Sequence, residues 1–342
     1  MTLDLQYLKS FPKIDLHRHL EGSIRVDTLR EVAAKYNIPL PISEDLSKLV
    51  QVQKNETHNM ENFLDKFRVL RHFYQSGEII RRLAYEAVAD AAIDGISYIE
   101  IMFTPVALST DKHFPLDEVM DWVIDGTQKA GREYGNKFKL IASVNRHENP
   151  DLAERVALLA AQRLHNGIAA LNLAGNEAQY SAKPFIPIFE QARRNGLGLT
   201  VHAGEWGGAG NVQEAILDLK ADRIGHGVRV IDDPQVLALA QQKQTLFEVC
   251  LSSNLLSGVI QDISGHPIKK MMQAGLNICL NTDDPGVEGV TLSDEFYLAH
   301  TAFGLLPIDL AAFNKAAIRA SFLTDEEKES LLTSLGKQFD LS

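Results

Sequence analysis

Three stretches of this chain end apolar, strand-like runs with metal-binding side chains: Asp15-Leu16-His17-Arg18-His19, His202-Ala203-Gly204-Glu205 and Asn281-Thr282-Asp283-Asp284-Pro285. Residues two apart in a strand point to the same face, so His17 and His19 can bind one ion from one side. With His202 and a carboxylate from the Asp283–Asp284 pair, they make the donor set of a one-metal hydrolytic site. Three imidazoles and a carboxylate suit zinc, whose N and O ligands lie at about 2.0–2.2 Å. A water completing such a shell is acidified toward a pKa of about 7. Glu205, three residues past His202, and His226, in Arg223-Ile224-Gly225-His226-Gly227, are left over to move protons. Taken singly, each has a plainer reading: a polar strand end, a capping Glu, a buried core histidine. The joint placement at strand ends is what points to chemistry. Two adjacent carboxylates cannot both aim at one point from an extended chain, so one binds the ion and the other faces the substrate.

These residues span more than half the chain, and the fold must bring them together. Short β-branched runs predict eight strands, at about 13–17, 96–103, 139–145, 168–174, 197–203, 222–226, 245–252 and 276–282. Helical periodicity is clearest from Ile79 to Asp94 and recurs over 116–134, 151–165, 184–195, 233–243 and 266–274. Alternating strands and helices of this number predict a (β/α)8 TIM barrel, an α/β fold whose active sites form at the C-terminal ends of the strands. Residues 20–95 are too long for one crossover helix and contain a Pro39-Leu40-Pro41 break. They imply a helical insertion over the barrel mouth, about 24–77. Its aromatics Phe63, Phe67, Phe73 and Tyr74 serve packing, with some walling a pocket for a flat ligand. From Ser293 onward the chain reads as helices closing the barrel, and residues 1–342 read as one domain.

Composition narrows the partners. A net charge of −11 argues against a nucleic-acid ligand, which needs a basic face. No run of about 18 apolar residues predicts a membrane span. No basic stretch followed by an apolar core marks a secretory signal, and Cys250 and Cys279 both sit in apolar runs as buried thiols. A cytoplasmic location is therefore expected, and oligomeric state is not legible.

The strings DLHRHLEG, NLAGNE, HAGEWGG, RIGHGV, CLSSN and NTDDPGVEG resemble those of bacterial adenosine deaminases, in the same order, over nearly the whole chain. The resemblance implies one zinc ion held by His17, His19, His202 and Asp283. It implies Glu205 protonating the purine at N1, with His226 and Asp283 orienting the attacking hydroxide at C6. Asp284 would take a hydrogen bond from the N7 side, and Gly175 would let the backbone approach N3. His19 and Glu21 would also line the substrate site. The implied reaction is hydrolysis of adenosine and 2′-deoxyadenosine to inosine and 2′-deoxyinosine plus ammonia, a step of purine salvage. Three departures stand out. Glu21 replaces the family's usual Asp near the sugar 5′-hydroxyl, as in adenine and aminodeoxyfutalosine deaminases, which are the alternative reading. Asn172 and Asn176 replace acids around Gly175, and Ser252 stands where Thr is usual.

Other classes fit less well. The unrelated zinc deaminases of nucleic-acid bases need Cys-x-x-Cys, absent here. Two-metal amidohydrolases need a bridging lysine where Gly175 ends the fourth strand. A barrel keeping its metal for structure alone would have no need of Glu205 and His226.

Overall fold

In a computed structural model describing residues 3–39 and 45–339, eight parallel strands form one sheet in sequence order. They are β1 (Lys13–His19), β2 (Ile96–Phe103), β3 (Lys137–Asn145), β4 (Ile168–Ala174), β5 (Gly198–Ala203), β6 (Arg223–His226), β7 (Leu246–Val249) and β8 (Asn277–Leu280). Closure between β8 and β1 is made by backbone only at the C-terminal rim. There the His19 N–H donates to the Asp283 carbonyl and the Asp283 N–H to the His17 carbonyl, both at 2.8 Å. Deeper in, side-chain amides stand in for the ladder: Leu16 N–H meets Asn281 Oδ1 and Ile14 N–H meets Asn314 Oδ1, each at 2.9 Å. Buried backbone donors are thereby satisfied where strands diverge. The expected TIM barrel is what forms, and β1 reaches two residues further than expected, taking in His19.

Two expectations need correction. The run 245–252 is not all strand: β7 stops at Val249, and Leu251–Leu256 is a helix. The cause is Glu295, whose carboxylate accepts from the N–H groups of Leu251 (2.8 Å) and Ser252 (3.1 Å) and caps that helix. Strand β8 likewise ends at Leu280, so Asp283 and Asp284 sit past its end rather than in it. The helix Ala209–Leu217 was not anticipated. Glycines at 204, 207, 208 and 210 masked a periodic Val212, Ala215, Ile216 face.

Between β1 and β2 lie the helices Val26–Tyr36, Leu46–Val50 and Met60–Leu70, followed by Gly77–Ile93, which packs on Leu116–Tyr134. Of the Pro39-Leu40-Pro41 break, Leu40 and Pro41 fall outside the described residues. Phe63, Phe73 and Tyr74 are buried. At the barrel floor, Phe322 stacks on the Arg223 guanidinium at 4.0 Å and packs against Met102, Ile141 and Ala170. Both cysteines are buried and free. Among the described residues no helix is long and apolar enough to cross a membrane.

Glu295 carries a pH signature. Burial, opposed by the Ser252 and Leu251 donors, pushes its carboxyl from 4.5 up to about 7. Stability from this group is complete below the unfolded value and is lost as pH rises through the folded one. The loss amounts to about 3 kcal/mol between pH ~4.5 and ~7, in order of magnitude. Urea melts of the protein and of Glu295→Gln should diverge across that window. Parallel pH profiles would refute the assignment.

Candidate active site and metal centre

His17 and His19 come from β1, His202 from β5 and His226 from β6, while Asp283 and Asp284 follow β8. All meet at the C-terminal rim. One donor atom from each of His17, His202, His226 and Asp283 lies within 4.8 Å of the others. His19 Nε2 is 3.2 Å from His202 Nε2 and 3.4 Å from Asp283 Oδ1, and His17 Nε2 is also 3.4 Å from Asp283 Oδ1. Such crowding needs local concessions. His226 (φ 59°) and Asp283 (φ 68°) adopt the left-handed region that non-glycine residues avoid, as strained functional positions do. A Cβ on Gly225 would lie 2.8 Å from the His17 ring, so only glycine lets the imidazoles converge. The register of β1 against β2 also shifts between Asp15 and Arg18, re-aiming the side chains beside it.

The outer nitrogens of the rings decide what the inner ones offer. Glu248 Oε2 accepts from His17 Nδ1 at 2.8 Å, and Asn172 Oδ1 accepts from His202 Nδ1 at 3.2 Å. Both rings therefore carry their proton on Nδ1 and present a bare Nε2. His17 Nε2 is buried without a hydrogen bond. The bare nitrogens of His17 and His202 and the Asp283 carboxylate thus face one point, where a cation would satisfy them. This arrangement fits a metal ion, and the donor set is that of zinc-type sites. Asp283 Oδ1 and Glu248 Oε2 flank the His17 ring on its two sides, while burial takes His19 down to about 4.

Glu248 is itself held by Arg223, which also binds Glu100. That ionic column runs from the barrel floor to His17, and sequence reading missed it. A lone acid inside the apolar run Leu246–Val249 was the available signal, since a buried charge must be paired. Asn172 explains one departure from the family pattern. Its Nδ2 donates to Ser143 Oγ at 2.6 Å, turning Oδ1 toward His202, so an amide does the acceptor's work of an acid. Asn176 instead caps a surface turn through Ala178 and Gln179.

Glu205 is buried, and its Oε2 lies 3.7 Å from His226 Nε2. Burial, with the charges of Asp283 and Glu177, pushes its carboxyl well above the usual range. Glu177 fixes the loop that carries it, accepting from the N–H groups of Gly204 (2.8 Å), Glu205 (2.6 Å) and Gly207 (3.0 Å). Ser253 Oγ donates to Asp283 Oδ2 at 2.6 Å. The neighbouring carboxyls diverge. Against its burial, Asp283 is held well below the usual range by the imidazoles, while burial and the Asp283 charge push Asp284 well above it. Pairs driven apart this way divide acid and base roles.

Glu205, His226, Asp283 and Asp284, together with His19 and His202, line a cavity of about 380 Å³ with Glu21, Phe63, Phe67, Tyr74, Gly175 and Trp206. That volume lies within the range of about 300–1,000 Å³ for small-molecule sites. Gly175, at φ 91°, forms part of its wall in a conformation side chains disfavour. Glu21 Oε1 accepts from the Thr104 N–H at 2.6 Å.

A family model described as adenosine deaminase matches residues 12–338. An adenosine deaminase of Klebsiella pneumoniae is 36% identical over 331 residues, covering 96% of this chain and 98% of that one. An amidohydrolase from Burkholderia ambifaria, solved with bound Zn, superposes with a TM-score of 0.91 at 25% identity, over 100% of this chain and 94% of that one. An adenine deaminase from Arthrobacter aurescens superposes with a TM-score of 0.86 at 27% identity, over 96% and 98%. The match runs through every strand that contributes to the convergent histidines, and with it this chain belongs to the adenosine deaminase family of aminohydrolases.

Proposed function

We propose that this chain is a zinc-dependent hydrolase that converts adenosine and 2′-deoxyadenosine to the corresponding inosines and ammonia. The observation that carries this reading is Glu205, a buried carboxyl 3.7 Å from His226 at the rim where the imidazoles converge. Attack at C6 of a 6-aminopurine breaks aromaticity, so the barrier falls only if the ring nitrogen gains a proton as the nucleophile arrives. Glu205 supplies that proton at N1. His17, His19, His202 and Asp283 hold the zinc ion, which when bound supplies a nucleophile from water near neutral pH. His226 and Asp283 orient the attack, and Asp284 and Gly175 align the purine edge. The insertion at about 24–77 acts as a lid of a single-domain enzyme, its Phe63, Phe67 and Tyr74 excluding water from the ring.

A specific observation keeps adenine as the second reading. Glu21 lines the cavity with one oxygen tied to Thr104, and its extra methylene narrows the space for a sugar. Turnover of adenosine, 2′-deoxyadenosine and adenine by the zinc-loaded protein, followed by ultraviolet absorbance, separates the two. A strong preference for adenine would overturn the nucleoside assignment. Shortening Glu21 to Asp should raise the nucleoside-to-adenine ratio of kcat/KM by about tenfold or more, the worth of one methylene in a tight site. An unchanged ratio would remove Glu21 from sugar recognition.

A further inference from the structure

Three hydrogen bonds in a row join His226 to a helix start some forty residues further along the chain. The Ile268 N–H lies 3.1 Å from His266 Nδ1, His266 Nε2 is 3.1 Å from Asn254 Oδ1, and Asn254 Nδ2 is 3.2 Å from His226 Nδ1. Asn254, His226 and His266 are all buried. The direction of this chain follows from its root. A main-chain N–H can only donate, so His266 Nδ1 is an acceptor. A neutral imidazole carries one proton, which must then sit on Nε2 and point at Asn254. Burial, which pushes His266 down to about 3, is consistent with the neutral ring. Asn254 must show its oxygen to His266 and its amide hydrogens to His226 Nδ1. Turning the amide over would set the Asn254 N–H against the His266 Nε2–H, two donors face to face, or demand a His266 imidazole with no proton. His226 Nδ1 therefore accepts. A doubly protonated His226 ring is excluded too, because its Nδ1–H would face the Asn254 N–H.

We infer that Asn254 and His266 are positioning residues that lock His226 as the Nε2–H tautomer, making it a hydrogen-bond donor into the site and not a metal ligand. Its Nε2 aims between Asp283 Oδ2 (3.6 Å) and Glu205 Oε2 (3.7 Å). Proximity alone would not separate it from the ligands, because its donor atoms lie as close to those of His17, His202 and Asp283 as a ligand's do. Polarity does. His17 and His202 meet acceptors at Nδ1 and so bare Nε2, whereas His226 meets a donor at Nδ1 and so protonates Nε2. Because the relay starts at a main-chain amide, no rearrangement of protons among these three side chains can invert it.

The consequence for rate rests on the hydrolase reading above; the tautomer does not. Nitrogen-15 NMR of the zinc-loaded protein, labelled in its histidine rings, reads the tautomer directly. His226 is expected to show a protonated Nε2 and a bare Nδ1. Asn254→Asp replaces the donor by an acceptor of the same shape, so His226 Nδ1 becomes protonated. Turnover should then fall by about 10²–10³-fold, the worth of one aimed donor, with zinc still bound at one per chain. His266→Gln keeps an N–H for Asn254 and should keep the wild-type spectrum. His266→Leu frees the amide to turn and should give mixed tautomers. A bare Nε2 on His226 in the wild-type spectrum would overturn the inference, as would wild-type turnover by Asn254→Asp. Should Asn254→Asp fail to fold, the wild-type and His266 spectra still decide. Absence of deamination by the wild type would count against the proposed reaction and leave the tautomer test standing.

Discussion

Glu205→Gln is expected to lower kcat by about 10²–10⁴-fold, the usual contribution of a positioned acid. Metal content should stay at the wild-type level, since Glu205 is not in the proposed ligand set of His17, His19, His202 and Asp283. Glutamine matches the shape of a protonated carboxyl and can still donate a hydrogen bond toward the purine. It cannot give up the proton, so ground-state binding should survive while the chemical step fails. An equal loss in kcat and kcat/KM is the pattern for an interaction made only in the transition state. Steady-state kinetics with metal analysis of the same sample checks this. Near-normal turnover would remove Glu205 from the acid role.

His17→Ala has the other large expected effect, and it falls on the metal. The substitution removes one ligand nitrogen and also strips Glu248 of its 2.8 Å partner, leaving the Glu248–Arg223–Glu100 column without its upper end. Losing an outer partner of a ligand typically costs about 10–100-fold in metal affinity, and losing the ligand itself should exceed that. Saturation at one hundred times Kd stabilises a folded chain by about 2.7 kcal/mol, so the variant should also lose most of its zinc-dependent rise in Tm. Chelator competition and thermal melts with and without zinc measure both quantities. A His17→Ala protein that holds zinc as tightly as the wild type would refute the ligand assignment. His226→Ala should behave in the opposite way, keeping zinc and losing turnover.

Much of the site was legible because strand ends are legible. A period-two apolar run that stops at a polar cluster states where a barrel's rim lies, and His17, His202 and His226 all sit at such stops. The error at β7 shows the limit of that signal. Thr245 to Ser252 reads as one strand because every residue suits one, yet Glu295, some forty residues away, captures two N–H groups and starts a helix instead. Glycine density hid Ala209–Leu217 for a related reason, since propensity is local and packing is not.

Sequence by itself determined the barrel, the set of imidazoles and carboxylates at its rim, and the presence there of a further acid, Glu205, and a further histidine, His226. These follow from residue type and periodicity, which act over a few residues. Tertiary structure decided which form each group takes. Glu248 and Asn172 bare Nε2 on His17 and His202, while Ile268, His266 and Asn254 protonate it on His226. Burial beside Asp283 pushes the Glu205 carboxyl upward. A histidine's proton and a carboxyl's pKa depend on what touches them, and the direct partners of His17, His202 and His226 lie from 28 to 231 residues away.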